Sequence, residues 1–163
     1  MYERQFTRVD TIRAYVDRML LENQDDVDRR CGYVHLYGVG QAAALLALKR
    51  GYNRDYAELA HIAGMLHDFI SYQGKDGPNH AHECEPVVRE ILMETKEFTL
   101  EEVDMICQAV YHHGDKHTVH SEFDEIIKDA DVMQHWLRNP KEDFWYHNDR
   151  CWKLVKEFGF QNI

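Results

Sequence analysis

Histidine is the residue type that stands out in this sequence. The 163-residue chain contains 11 histidines, and several of them stand beside acidic residues or beside each other. The pair His67-Asp68 lies at the end of an apolar segment, just before a glycine-containing loop. A neutral imidazole and a carboxylate are good ligands for borderline and hard divalent metal ions. The pair is therefore a reason to look for a metal site, although a histidine that only caps the C-terminal end of a helix would look the same.

Further candidates stand on other predicted helices. His35 lies on a helix face that continues through Val39, and alone it would be explained as a core histidine bonded to a backbone carbonyl. Asp131 follows Ile127 by one helical turn, so we expect it on the inward face, where a carboxylate needs a cation or several donors. Asp129 is expected to face solvent.

Three more histidines lie at predicted helix ends. His80 opens the helix after the glycine-containing loop, and the pair His112-His113 closes the next helix. Each could be a helix-end residue without a function. Together with His67-Asp68 and Asp131, they could instead complete a second metal site.

The elements that must position these residues are helices. Apolar residues recur at helical spacing along the chain, and no stretch shows a convincing strand period. We therefore predict an all-α bundle of about six or seven helices. The predicted segments are Val9–Leu20 with Thr7 or Asp10 as N-cap, about Tyr33–Lys49 ended by Gly51, a helix capped by Asp55 that runs into His67, His80–Met93, a helix opened by the capping box Thr99–Glu102, Glu122–Val132, and about Lys141–Phe158.

Composition is that of one soluble globular domain spanning residues 1–163, with 44% hydrophobic and 29% charged residues. The net charge of −10 argues against a broad electrostatic grip on nucleic acid or on an anionic membrane. No apolar run approaches the roughly 20 residues of a membrane-spanning helix, and the charged N-terminus does not read as a signal peptide. The four cysteines are widely spread and fit reduced thiols. We expect a cytoplasmic protein.

The tryptophans near the C-terminus could serve the core or an interface. Trp136, Trp145 and Trp152 are expected to cap the core of the bundle, and a homodimer contact is the alternative.

The order of the histidines and aspartates resembles the HD superfamily of metal-dependent phosphohydrolases, whose pattern is a histidine, an adjacent His-Asp and a distal aspartate. The resemblance covers roughly His35 to Asp131, within a motif-bearing core at about residues 30–135. The matching segments are Arg30 to His35 (RCGYVH), Ala63 to Asp68 (AGMLHD) and Lys128 to Asp131 (KDAD). It implies a single-domain helical bundle of the HD type. It also implies a metal ion held by His35, His67, Asp68 and Asp131.

Two-metal branches of the family add one histidine that opens the helix after the His-Asp loop and another after the next helix. The matching residues are His80 and either His113 or His112, with Asp68 bridging both ions as the central catalytic residue. The implied activity is hydrolysis of a phosphate ester or anhydride by a metal-activated water, with a nucleotide as the implied substrate. The resemblance favours iron or manganese, and nitrogen and oxygen ligands leave cobalt, nickel and zinc open.

Several residues beside the ligand segments could contact phosphate. Arg30, Lys75, Lys116 and His117 are the candidates, although each basic side chain could equally be a solvated surface charge. His61, His135 and His147 match no motif, and we assign them no role.

Three other functions stay open. The chain could be a nucleotide-binding sensor domain without turnover, because fold does not imply function. It could be a di-iron oxygenase of the HD type. It could also be a structural helical domain with incidental histidines.

Overall fold

The computed structural model describes residues 7–74, 77–139 and 149–160. Within these ranges the chain is helical and contains no strand, which confirms the predicted all-α bundle. A short 3-10 helix, Ser71–Gln73, follows the third α-helix. The α-helices in chain order are α1 (Arg8–Glu22), α2 (Asp26–Lys49), α3 (Arg54–Leu66), α4 (His80–Thr95), α5 (Leu100–His112), α6 (Glu122–Arg138) and α7 (Asp149–Phe158).

Two helix starts follow the capping signals in the sequence. The predicted capping box of α5 is present, because Thr99 Oγ accepts from the Glu102 N–H and the Glu102 carboxylate accepts from the Thr99 N–H. Thr7 is the N-cap of α1, where its N–H donates to the Asp10 carboxylate.

Two other predicted starts were wrong. Asn53, not Asp55, caps α3, since its side chain accepts from the Tyr56 N–H and Asp55 lies inside the first turn. The second helix begins at Asp26 rather than near Tyr33. The first turns of α2 are rich in charged, exposed residues and carry no apolar stripe that would reveal them.

The central helix α2 packs against α3 and α6, and this packing places the metal-ligand candidates. The closest approach of α2 and α3 is made by two glycines. A Cβ atom on Gly64 would lie 2.7 Å from the Gly40 Cα and 2.9 Å from the Val39 carbonyl carbon. Only glycine therefore lets the two helix backbones come this close, and the close approach brings His35 on α2 next to the end of α3.

Among the described residues, α2 is the one helix long and apolar enough to cross a membrane by length and composition. Half of its apolar window is buried in the bundle, with Leu36, Val39 and Leu46 fully inaccessible. A core helix of a soluble protein meets the same criteria, so this is weak evidence for a membrane span.

The C-terminal helix α7 packs on α6 through Cys151, Leu154 and Val155. Trp136 on α6 is buried as expected, but Trp152 is 53% exposed, so its predicted core position was wrong. The predicted start of this helix near Lys141, and Trp145 with it, lie outside the described residues.

Asp129 is buried, which overturns its predicted exposure. It lies between two arginines, with Arg50 Nη2 and Arg150 Nη1 each 2.6 Å from its carboxylate oxygens. Arg150 also donates to the Lys116 carbonyl at 3.3 Å. The two guanidinium groups satisfy the carboxylate and tie α7 to α2 and to the segment between α5 and α6.

The glycine contact between α2 and α3 is testable by substitution. Alanine normally stabilises a helix interior relative to glycine by about 0.5–1 kcal/mol. We expect Gly64→Ala to destabilise the protein instead, by about 1–3 kcal/mol, because its Cβ would collide with backbone rather than with a movable side chain. Urea unfolding measures the change.

The control is Gly114→Ala, whose Cβ would meet only the Ala81 Cβ at an ordinary 3.6 Å. Gly114→Ala should leave the free energy of unfolding nearly unchanged. A Gly64→Ala variant as stable as the parent protein would show that the helices do not need this close approach.

Candidate metal centre

Four side chains from three helical segments converge in the interior of the bundle. His35 comes from α2, His67 and Asp68 from the end of α3, and Asp131 from α6. The two Nε2 atoms of His35 and His67 are 3.1 Å apart. Asp68 Oδ2 lies 3.4 Å and 3.3 Å from these nitrogens, and Asp131 Oδ1 lies 3.5 Å and 3.9 Å from them. The structure therefore brings together the four residues that the resemblance implies for a first ion.

On each of these two rings Nδ1, the nitrogen that faces away from the centre, makes a hydrogen bond that fixes the tautomer of the histidine. His67 Nδ1 faces the Gly64 carbonyl at 2.7 Å, and His35 Nδ1 faces Gln134 Oε1 at 2.8 Å. The Gln134 amide nitrogen lies 3.4 Å from the Val34 carbonyl, which agrees with this amide orientation. A carbonyl oxygen can only accept, so each Nδ1 donates a proton here, and in the neutral imidazole Nε2 is the nitrogen with a lone pair facing the centre. Between two neutral rings these lone pairs would repel, and a metal ion, or a proton shared by the two nitrogens, removes that repulsion.

A second pair of histidines repeats the arrangement. His80 and His113 have their Nε2 atoms 3.1 Å apart. Their Nδ1 atoms donate to the carbonyls of Gly77 at 2.9 Å and Val110 at 2.7 Å. The Nε2 atoms face Asp68 Oδ1 at 3.2 Å and 3.0 Å. This pair fits a second ion.

Asp68 lies between the two histidine pairs and offers one carboxylate oxygen to each. Its Oδ1 is buried and accepts no hydrogen bond from any described residue, and the same is true of Asp131 Oδ1. Burial alone would raise the pKa of Asp68, but the facing imidazoles of His67 and His113 hold that pKa well below its ordinary value. Charged oxygens without donors are the arrangement expected of metal ligands.

The electrostatics of the histidines agree with this chemistry. Burial by itself would lower the pKa of His35, but the carboxylates of Asp68 and Asp131 raise it, so the field at this point favours a cation. Burial lowers the pKa of His113 although the Asp68 carboxylate acts in the opposite direction, and the lowered pKa favours the neutral imidazole, the form that binds a metal.

Lys116 fixes the remaining oxygen of Asp131. Its buried ammonium group donates to Asp131 Oδ2 at 2.7 Å and to the His113 carbonyl. Burial raises the pKa of Asp131, but the Lys116 charge outweighs it and holds the pKa well below the ordinary value. Lys116 therefore contacts one candidate ligand residue of each ion: the carboxylate of Asp131 and the backbone carbonyl of His113.

The geometry favours His113 over His112 as the ligand. His112 Nδ1 lies 2.8 Å from Asp124 Oδ2, and its ring stacks on His120 at 3.8 Å. His112, His120 and Asp124 form a third group of suitable ligand types. The Lys128 ammonium group, however, donates to His120 Nδ1 at 2.6 Å. That positive charge and the occupied nitrogen make this third group a poor metal site.

The other predicted phosphate contacts are not gathered at the centre. Arg30 is 69% exposed and pairs with Asp26 on its own helix. His117 is exposed on the loop between α5 and α6, and Lys75 lies outside the described residues. A cavity of about 720 Å³ next to His117 is lined by none of the six candidate ligands.

Two residues of α6 that border the centre were not predicted as site residues. Gln134 is buried and orients His35 through its Oε1. His135 Nε2 lies 3.4 Å from Asp131 Oδ1, and its ring is 4.8 Å from that of His35. The available signal was the spacing of four between Asp131 and His135, which puts both on one helix face.

A comparison with protein families gives one match, and it coincides with the centre. The family described as HD domain matches residues 32–136, more than half of the chain, and this range contains all six candidate ligands. Searches of curated proteins and of solved structures gave no significant match. The family match confirms the resemblance in the sequence.

Variants that lack a single ligand should distinguish the two ions by the number of metal ions that each variant retains. We expect about two metal ions per chain for the parent protein, about one for His80→Ala and for His67→Ala, and loss of both for Asp68→Ala, because Asp68 alone faces both histidine pairs. Elemental analysis after dialysis against a divalent metal measures the content. The matched control is His82→Ala, because His82 is exposed and stacks on Tyr111. Metal content that is unchanged in Asp68→Ala would contradict the bridging arrangement.

Loss of the hydrogen bond between Gln134 and His35 should reduce metal binding less than loss of a ligand does. Gln134→Leu keeps the side-chain size but removes the acceptor for His35 Nδ1–H, which should weaken metal binding by about 10–100-fold. Competition with a chelator dye measures the affinity. Gln108→Leu, at an exposed position on α5, should bind as the parent protein does. Equal affinities of the two variants would show that orientation of His35 does not matter.

Proposed function

Because this chain belongs to the HD-domain family, we propose that it is a dinuclear metal-dependent phosphohydrolase. Its proposed reaction is hydrolysis of a phosphate ester or anhydride, with a nucleotide as the preferred class of substrate. The family is mostly one of metal-dependent phosphohydrolases, and His and Asp groups that could hold a metal are present.

The placement of Asp68 is the observation that carries the dinuclear proposal. Its Oδ2 faces His35 and His67, while its Oδ1 faces His80 and His113. One carboxylate with its two oxygens turned toward two separate imidazole pairs is suited to bridging two cations. We assign His35, His67, Asp68 and Asp131 to the first ion and Asp68, His80 and His113 to the second.

Divalent metals bound there would act as Lewis acids on a phosphoryl oxygen and lower the pKa of a water molecule toward neutrality. The chain's own residues fix the orientation and the tautomer of each imidazole ligand. Backbone carbonyls fix the tautomers of His67, His80 and His113, and Gln134 does the same for His35. Lys116 occupies the outer oxygen of Asp131 and leaves only Oδ1 facing the histidines.

The family resemblance favours iron or manganese, with cobalt, nickel and zinc left open by the donor set. That donor set consists of imidazole nitrogens and carboxylate oxygens, and no cysteine of the described residues joins it. Three of the four cysteines are buried, and Cys31 is exposed. We propose a reducing compartment, the cytoplasm, as the place of action.

A turnover experiment tests the proposed hydrolysis. The metal-free protein is loaded with Mn²⁺ or, without oxygen, with Fe²⁺, and is incubated with nucleotides and with simple phosphomonoesters and phosphodiesters. We expect product release that falls by about 100- to 1,000-fold in Asp68→Ala, because a metal ion supplies several kcal/mol of transition-state stabilisation. His82→Ala should retain the parent rate.

The competing functions give different results. Nucleotide binding without product under any metal would favour a sensor domain. Oxygen consumption by the iron-loaded protein, with no phosphate released under anaerobic conditions, would favour an oxygenase. A protein that takes up no metal and is no less stable in a chelator would contradict all three and leave a structural role.

A further inference from the structure

We infer that His135 is an additional ligand of the first metal ion, a role that rests on the proposed dinuclear centre. Nothing in the HD pattern of a histidine, a His-Asp pair and a distal aspartate includes this position. The inference comes from where α6 places its imidazole.

The distance to Asp131 fits two ligands of one ion. Metal–nitrogen and metal–oxygen bonds of about 2.0–2.2 Å put neighbouring ligand atoms about 3 Å apart when they meet at a right angle. His135 Nε2 lies 3.4 Å from Asp131 Oδ1, the oxygen that also faces His35 and His67 at 3.5 Å and 3.9 Å. That separation is long for an N–H···O hydrogen bond between His135 and Asp131, and it fits two neighbouring ligand atoms of one ion.

The spacing along α6 supports the same role. Asp131 and His135 are four residues apart, so both side chains leave the same helix face. This is the spacing at which the two histidines of an H-E-x-x-H helix bind one zinc ion. A single rigid helix can therefore supply both ligands.

His135 lies at the more open side of the first ion. Its side chain is 21% exposed, whereas those of His35 and His67 are 3% and 0% exposed. Its ring is 4.8 Å from that of His35. The first ion would thus have three imidazoles, from His35, His67 and His135, and the second ion only two. Imidazole suits iron, zinc and nickel better than manganese, so the first position should prefer iron and the second should discriminate less.

Cobalt titration of the metal-free full-length protein tests the assignment, because Co²⁺ absorption reports the ligands directly. We expect His135→Ala and the similarly shaped His135→Gln to weaken one of two binding steps by at least about tenfold and to change the absorption bands of that ion. The other step should keep its affinity. His82→Ala is the control, and thermal unfolding of the metal-free variants checks that α6 still folds.

Three outcomes would overturn the inference. The variants could bind both ions with parent affinity and an unchanged spectrum. They could lose affinity without any spectral change, which would make His135 only a support for Asp131. If the parent protein takes up no Co²⁺ at all, the dinuclear centre fails and the role of His135 fails with it. The first two outcomes leave the proposed function standing.

Discussion

The convergence of two imidazole pairs and two carboxylates on one buried space is the constraint on which the rest of this bundle depends. In each pair the two Nε2 atoms face each other across 3.1 Å, and two carboxylates add negative charge to the same space. The donors that could relieve this crowding are turned outward, to the Gly64, Gly77 and Val110 carbonyls and to Gln134. Positive charge at the centre turns every one of these contacts from unfavourable to favourable.

The helix packing serves this convergence. Gly40 and Gly64 allow α2 and α3 to approach until His35 and His67 meet. Because His67 is the C-terminal cap residue of α3, the next residue leaves the helical path, and Asp68 can point toward the same centre although adjacent helical residues normally diverge. The helix ends at α4 and α5 add His80 and His113 in the same way.

Much of this was accessible from the sequence. Helical spacing predicted the bundle, and the order of His35, His67-Asp68 and Asp131 predicted which residues would meet. The errors have a common physical cause: apolar periodicity identifies the segments that face the core. It could not reveal the charged start of α2, nor the end of α6, where the inward positions Gln134 and His135 are polar because they face the centre. The burial of Asp129 depends on arginines from distant segments, which no local pattern reports.

The hydrogen bonds that Arg150 of α7 makes determine how far the chain can be shortened. Arg150 lies beyond the family match, yet it holds the Lys116 carbonyl, and Lys116 in turn holds Asp131 and the end of α5. A fragment trimmed to the matched segment would retain every proposed ligand but would lose the hydrogen bonds that Arg150 makes. The functional unit therefore extends past the matched segment into the last described helix, and a shortened chain would lack this support even where it contains every proposed ligand.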